Sequence, residues 1–283
     1  MTVAIIGLGL IGGSLALDLR ANGFADRLVG VDANAAHVKK ALELGLVDEV
    51  LSMEEACKWA DVVVLAVPVS GILDLYPVVL DLIHARGVVV DMGSTKGEIL
   101  RKIAGHPKRS RAVAAHPMAG TEFSGPEAAI NHLFHGKAAI ICDRENSDKD
   151  AINLAERLFK SLFMRIIYMD AREHDVHAAY VSHISHISSF VLALTVLDKE
   201  KSEANIFNMA SGGFSSTVRL AKSSPRMWRD VYEQNSENIL DVLNNYIEKM
   251  GLFRDLIASG EYDQTYSLME QANAIGPILQ GIK

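Results

Sequence analysis

The stretch Val3-Ala4-Ile5-Ile6-Gly7-Leu8-Gly9-Leu10-Ile11-Gly12 constrains this chain more than any other. An uninterrupted apolar run leads into G-x-G-x-x-G at Gly7, Gly9 and Gly12, and a helical pattern follows. That order describes a strand, a tight turn and the head of a helix. Gly7 permits the turn, Gly9 leaves the backbone open to a pyrophosphate, and Gly12 lets the helix pack on the strand. The helix start, through Leu10 and Ile11, offers free N–H groups and the positive end of its dipole to phosphate. Such a turn alone is a weak signal. Here a second strand ends in Val29-Gly30-Val31-Asp32, twenty residues after Gly12. An acid at that spacing accepts the adenosine ribose hydroxyls and repels a 2′-phosphate. Ala33, Asn34 and Ala35 follow with no basic side chain, which favours NAD over NADP.

The rest of the first half repeats the same alternation. Apolar runs at Asp61–Val67, Gly87–Met92, Arg111–Ala115, Lys137–Cys142 and Arg165–Tyr168 read as strands buried on both faces. Helical patterns fall at Gly12–Asn22, Ala33–Leu44, Ser70–His84, Lys96–Ala104 and Asp148–Phe163. The expectation is a Rossmann-like α/β domain over residues 1–169, with a doubly wound, mostly parallel sheet. Beyond Met169 no strand pattern remains. Helices are expected over Glu173–Leu197, Ala204–Lys222, Pro225–Met250 and Glu261–Gln280, forming an all-α domain over 170–283. Ser224-Pro225 is a strong start signal for one of them.

With 283 residues the chain has room for two cores. Its net charge of −7 argues against nucleic acid, which demands a basic face. Cys57 and Cys142 have neither disulfide-framework nor zinc spacing, as expected of buried thiols in a reducing compartment. The apolar start lacks a basic leader and is interrupted by Asp18 and Arg20, so no membrane segment is expected and the location is read as cytoplasmic.

Sheets of this kind place ligands at the carboxyl ends of their strands. Two such ends carry chemistry: Asp91-Met92-Gly93-Ser94-Thr95-Lys96, and His116-Pro117-Met118-Ala119-Gly120-Thr121-Glu122. An imidazole there can take a hydroxyl proton as hydride leaves, and its ordinary pKa near ~6.5 suits the task. Ser94 stands where it could fix the ring, and Glu122 faces the same cleft. Val67 and Pro68, ending another strand, are expected against the cofactor. From the residues alone, His116 is equally readable as a strand-end histidine satisfied by backbone.

The blocks GLGLIGGS, DMGSTKG, HPMAGTE with Ser124-Gly125, SHISH, and GGFSSTVRLAKSSPRMWRD together resemble the prephenate dehydrogenase family, which includes arogenate dehydrogenases. The similarity spans nearly the whole chain. It implies oxidative decarboxylation of prephenate by NAD⁺ to 4-hydroxyphenylpyruvate, on the route to tyrosine. It also implies roles: His116 as base on the ring hydroxyl, Ser94 bridging it to the nicotinamide, and Arg219 holding a substrate carboxylate. His186 would reach the substrate from the helices, Glu122 would line the side-chain end, and the helical domain would form a homodimer. No metal is needed.

Rival readings stay open. His183 rather than His186 is the alternative contact, Arg219 is also readable as a surface cation, and Trp228 reads as a core or interface anchor. The pairs His174/His177 and His183/His186 have metal-compatible spacing but lack the remaining ligands of a zinc motif. Ser215-Ser216 replace a more charged stretch of some relatives, and arogenate remains the alternative substrate. Neither a regulatory domain after Lys283 nor a mutase segment before the glycine turn is expected.

Overall fold

The structure, a computed structural model, describes residues 1–201, 203 and 205–280. Strands β1 (Thr2–Ile6), β2 (Arg27–Val31), β3 (Glu49–Val50), β4 (Val62–Leu65), β5 (Val88–Asp91), β6 (Ala112–Pro117), β7 (Ala138–Cys142) and β8 (Arg165–Met169) form one sheet. Their order is β3-β2-β1-β4-β5-β6-β7-β8. Neighbours run parallel except β6 and β7, so β7 and β8 point against the rest. The crossovers are helices α1 (Leu10–Ala21), α2 (Ala35–Glu43), α3 (Met53–Trp59), α4 (Val69–Leu82), α5 (Gly97–Ile103) and α6 (Lys149–Ser161).

Strand residues alternate between two cores, one on each face. Val3, Ile5, Val62, Val64, Val88 and Val90 join the first, with α1 and α6. Ala4, Ile6, Val63, Leu65 and Val89 join the second, with α3, α4 and α5. Both sides being apolar explains why these strands carry no polar alternation in sequence. Chain direction in strand order reverses between β1 and β4, the place where doubly wound sheets open a ligand crevice.

Beyond β8 the chain is helical: α7 (Ala171–Ala178), a π turn at Ala179–His183, α8 (Ile184–Glu200), α9 (Gly212–Thr217), α10 (Pro225–Gln234), α11 (Ser236–Ser259), α12 (Tyr262–Ala272) and α13 (Ile275–Gln280). The chain divides into two compact units, and α7–α10 share the first with the sheet, which runs to Asn235 and so past the expected join at Met169. The second begins at Ser236.

Three expected helices are broken, each for a local reason. The one placed over Ala204–Lys222 starts on a residue outside those described, and from Ile206 it is a short 3₁₀ turn, α9 and a second 3₁₀ turn at Arg219–Lys222. Gly212 and Gly213 open α9 instead of continuing a longer helix, and near its end the Ser216 and Thr217 hydroxyls both donate to the Gly213 carbonyl. The helix expected over Pro225–Met250 divides at Asn235, whose buried amide is committed to other partners. The last divides at Asn273-Ala274, which puts Pro277 in the first turn of α13, where its missing N–H costs nothing. Strand β3 and helix α3 were not foreseen, although the Ser52/Glu55 capping box that starts α3 is legible in the sequence.

Candidate active site

At the crevice beside β1, Gly7 adopts φ +98°, and a Cβ there would strike the Ala66 carbonyl that ends β4. A Cβ on Gly12 would lie 1.9 Å from the Gly7 carbonyl oxygen. Gly9 is different: a Cβ on it meets nothing within 4 Å, so this backbone faces open space. Gly9 is also the N-cap of α1, with no side chain capping the helix and no acid in its first turn, which begins with Leu10 and Ile11. A helix start left bare in this way fits a phosphate. Asp32 flanks it: the Leu8 amide donates to Oδ2 at 2.8 Å and the Asn34 amide to Oδ1 at 2.8 Å, which fixes the carboxylate beside the turn. His37 Nδ1 stands 3.5 Å from the same carboxylate. Val67 and Pro68 lie on the other wall, where Val67 Cγ1 is within 2.8 Å of a Cβ built on Gly7 and Pro68 caps α4.

His116 ends β6 and is buried. Its Nδ1 lies 2.8 Å from His174 Nε2 on α7, and His174 Nδ1 lies 2.8 Å from Asp175 Oδ1. The Asp175 carboxylate also accepts from two backbone amides at the start of α5, Lys96 N at 2.8 Å and Gly97 N at 2.8 Å. Beneath this row, Lys96 and Asp91 form an ion pair with no exposed surface on either side chain. Burial pushes the His116 pKa well below its ordinary value, and the nearby His174, Lys96 and His183 push the same way. The ring is therefore a neutral base throughout the neutral range, and the ordinary value near ~6.5 expected from sequence does not apply. Asp175 is held below the ordinary range: burial raises it, but His174 and the two amides outweigh that.

Ser94 is half-buried in the loop between β5 and α5. No hydrogen bond joins it to His116 among the described residues; the partner of the ring is His174, a residue that sequence reasoning noted only for its spacing to His177. Asp175 and Asn235 were missed altogether, and Lys96 was noted only as the end of its strand-end block. Their signal was faint, since only the fold brings α7 and the start of α5 together.

The helices supply the other wall. Asn235 Nδ2 donates to the Asp175 carbonyl at 2.8 Å and to His183 Nδ1 at 3.2 Å. The His183 proton then sits on Nε2, a buried atom without a partner among the described residues, as are Trp228 Nε1 and Tyr232 OH. Buried donors normally find acceptors. The Trp228 ring lies 3.8 Å from that of His186 and 5.7 Å from that of His183, centroid to centroid. Burial pulls His183 down to about 4 and lowers His186 as well. His186 gives its Nδ1 proton to the Ser182 carbonyl at 3.1 Å, leaving an acceptor at Nε2. Arg219 is half-exposed and pairs with Glu122, Nη1 to Oε2 at 2.9 Å, and its charge reaches His186. Buried Ser189 on α8 ties down the segment carrying Arg219, donating to the Thr217 carbonyl and accepting from the Ala221 amide. His183 lowers the pKa of His116 and is itself lowered by His186. Among the described residues no group of three or more His, Cys, Asp or Glu side chains is arranged to hold a metal.

A bare helix start at the switch point of a doubly wound sheet, with a neutral imidazole ending a strand nearby, defines the class: an oxidoreductase built on a nucleotide-binding domain. Residues 15–168 match the family model described as prephenate dehydrogenase, nucleotide-binding domain, and 170–271 match prephenate dehydrogenase, dimerization domain. The chain belongs to the prephenate dehydrogenase family. It is 31% identical to the prephenate dehydrogenase of Bacillus subtilis over 96% of this chain and 74% of that one. With the cyclohexadienyl dehydrogenase of Zymomonas mobilis it shares 31% identity, covering 92% and 90%. Among solved structures it resembles the A. aeolicus prephenate dehydrogenase in complex with hydroxyphenyl propionate and NAD⁺, at TM-score 0.85 and 29% identity over 100% and 98% of the chains. The Synechocystis arogenate dehydrogenase matches at TM-score 0.77 and 25% identity over 99% and 100%.

Proposed function

We propose that this chain catalyses NAD-dependent oxidative decarboxylation of prephenate to 4-hydroxyphenylpyruvate in tyrosine biosynthesis. The observation that carries the reading is the buried, neutral His116 at a strand end in the sheet whose glycine turn is open at Gly9. Gly7, Gly9, Leu10, Ile11 and Gly12 would cradle the pyrophosphate, Asp32 the adenosine ribose, and Val67, Pro68 and Ser94 the nicotinamide end. Bound NAD⁺ supplies the hydride acceptor. His116 takes the proton of the ring hydroxyl as hydride leaves the carbinol carbon, and loss of CO₂ restores the aromatic ring. Arg219 anchors a substrate carboxylate after exchanging Glu122 for it, by a charge-assisted contact. The unused donors of His183, Trp228 and Tyr232 support a polar small molecule between them.

A second substrate has an observation of its own. The acceptor at His186 Nε2 and the ionised Glu122, held low by its own backbone amide and by Arg219, both suit the ammonium group of arogenate. Rates of NADH formation with prephenate and arogenate, each with NAD⁺ and NADP⁺, decide the matter. The expected result is a higher kcat/KM for prephenate with NAD⁺. A preference for NADP⁺ would remove the role given to Asp32.

We further assign 1–169 to the cofactor, 170–283 to completing the substrate site and to homodimerisation, and the protein to the cytoplasm. Val191, Leu194 and Leu197 on α8 are each at least half exposed, an apolar stripe suited to a second copy. The run Ala171–Glu200 is by length and composition apolar enough to cross a bilayer, yet its first half carries the buried His174, Asp175 and His183. Sedimentation tests the dimer.

A further inference from the structure

We propose that His174 and Asp175 are positioning residues that set the tautomer of His116, leaving the Nε2 lone pair free to take the substrate proton. The inference deepens the proposed function and rests on His116 being its base.

Two backbone atoms at the start of α5 have no choice of role, and the polarity of the row follows from them. The amides of Lys96 and Gly97 can only donate, and both point at Asp175, one to each oxygen. They hold that group as an ionised acceptor, so the 2.8 Å contact from Asp175 Oδ1 to His174 Nδ1 requires the proton on Nδ1. A neutral His174 then carries a lone pair on Nε2, and the 2.8 Å contact to His116 Nδ1 requires His116 to donate from that nitrogen. What remains on His116 is Nε2, unprotonated. The polarity of the whole row, from amides to carboxylate to first ring to second ring, is thus written into the start of α5 and the first turns of α7.

The competing arrangement makes His174 an imidazolium, donating from both nitrogens. His116 would then accept at Nδ1, carry its own proton on Nε2, and be useless as a base. Surrounding charges oppose this. The ammonium of Lys96 is buried close by, paired with Asp91 and felt at His116. A second cation beside Lys96 with 2% exposure is unfavourable. During turnover the proton passes from the substrate hydroxyl to His116 Nε2, and the new imidazolium keeps its Nδ1 proton on His174, with the Asp175 charge one ring further on. No proton needs to travel along the row. The arrangement matches in logic the acid that orients a catalytic histidine in serine hydrolases, with one imidazole interposed.

The direct test is the tautomer itself. Long-range ¹H–¹⁵N correlation of histidine-labelled protein at neutral pH, with the His116 signals assigned by their loss in His116→Asn, should show His116 protonated on Nδ1 alone. A proton on His116 Nε2, or His174 protonated on both nitrogens, overturns the proposal. That readout needs no substrate, so it stands apart from the choice of reaction: an inactive protein with the expected tautomer would sink the proposed function and spare the row. Kinetics supply the second arm. Glutamine can donate toward Asp175 and accept from His116 in the same polarity as neutral His174. His174→Gln should therefore stay within about tenfold of the parent kcat, while His174→Phe and Asp175→Asn lose roughly 10²–10⁴, with KM changed little. Equal kcat for His174→Phe and the parent overturns the proposal.

Discussion

The glycines of the phosphate turn look alike in sequence and differ in what a single methyl would do to them. Gly12→Ala places a carbon 1.9 Å from a carbonyl oxygen, which the backbone must move to accommodate. It should cost stability of the order of 1–3 kcal/mol or more, read from urea unfolding. Gly9→Ala meets open space, so the protein should fold normally while KM for NAD⁺ rises, because the methyl stands where the pyrophosphate approaches. Equal effects of the two changes on folding would contradict this division of labour. At His116, replacement by Asn removes the proposed base: kcat should fall about 10²–10⁴ while substrate binding, measured calorimetrically, persists. Arg219→Ala removes the proposed ground-state anchor, so KM should rise with kcat nearly unchanged; a loss confined to kcat would reassign the residue. The positions of the glycines, Asp32 and His116 in the fold were legible because each depends on a local turn or strand end. The contact between His116 and His174 was not, since it joins positions 58 apart that only the docking of α7 brings together.

Among the elements, those buried on two sides were the easiest to read. Val62, Val63, Val64 and Leu65 read as a buried strand because the run is short and rich in β-branched side chains. Sequence periodicity failed on either side of α9, where short 3₁₀ turns replace the helix, and at Asn235, whose amide is committed elsewhere. Those interruptions also carry residues of the candidate site: Asn235 reaches Asp175 and His183, and the segment after α9 brings Arg219 to Glu122. Ser189 holds that segment by two hydrogen bonds. Ser189→Ala should therefore raise KM for the substrate several-fold through a loosened Arg219, with kcat and the KM for NAD⁺ unchanged. An effect on cofactor affinity instead would show that the segment does more than carry the guanidinium.

At the level of the molecule, several buried imidazoles kept neutral make stability depend on acid. His183 titrates at about 4 in the folded protein because of its burial, whereas an unfolded histidine titrates near ~6.5. Between those values the unfolded chain binds a proton that the folded chain refuses, so stability rises with pH across the window, is flat above it, and is lost as pH falls. His116 acts in the same direction. The urea midpoint should drop clearly between pH 7 and pH 5; a midpoint constant over that range would show that these rings are not buried neutral in solution. The π turn at Ala179–His183 has a different bearing on the whole. It sets the helical phase of α8 relative to α7, so that one continuous rod addresses two surfaces, Asp175 and His174 meeting the sheet and Ser189 meeting the segment of Arg219. Deleting one residue there would leave a regular rod but swing everything downstream by about 100° and draw it back about 1.5 Å. His186 and Ser189 would then face elsewhere, and the segment carrying Arg219 would lose the two hydrogen bonds that tie it to α8.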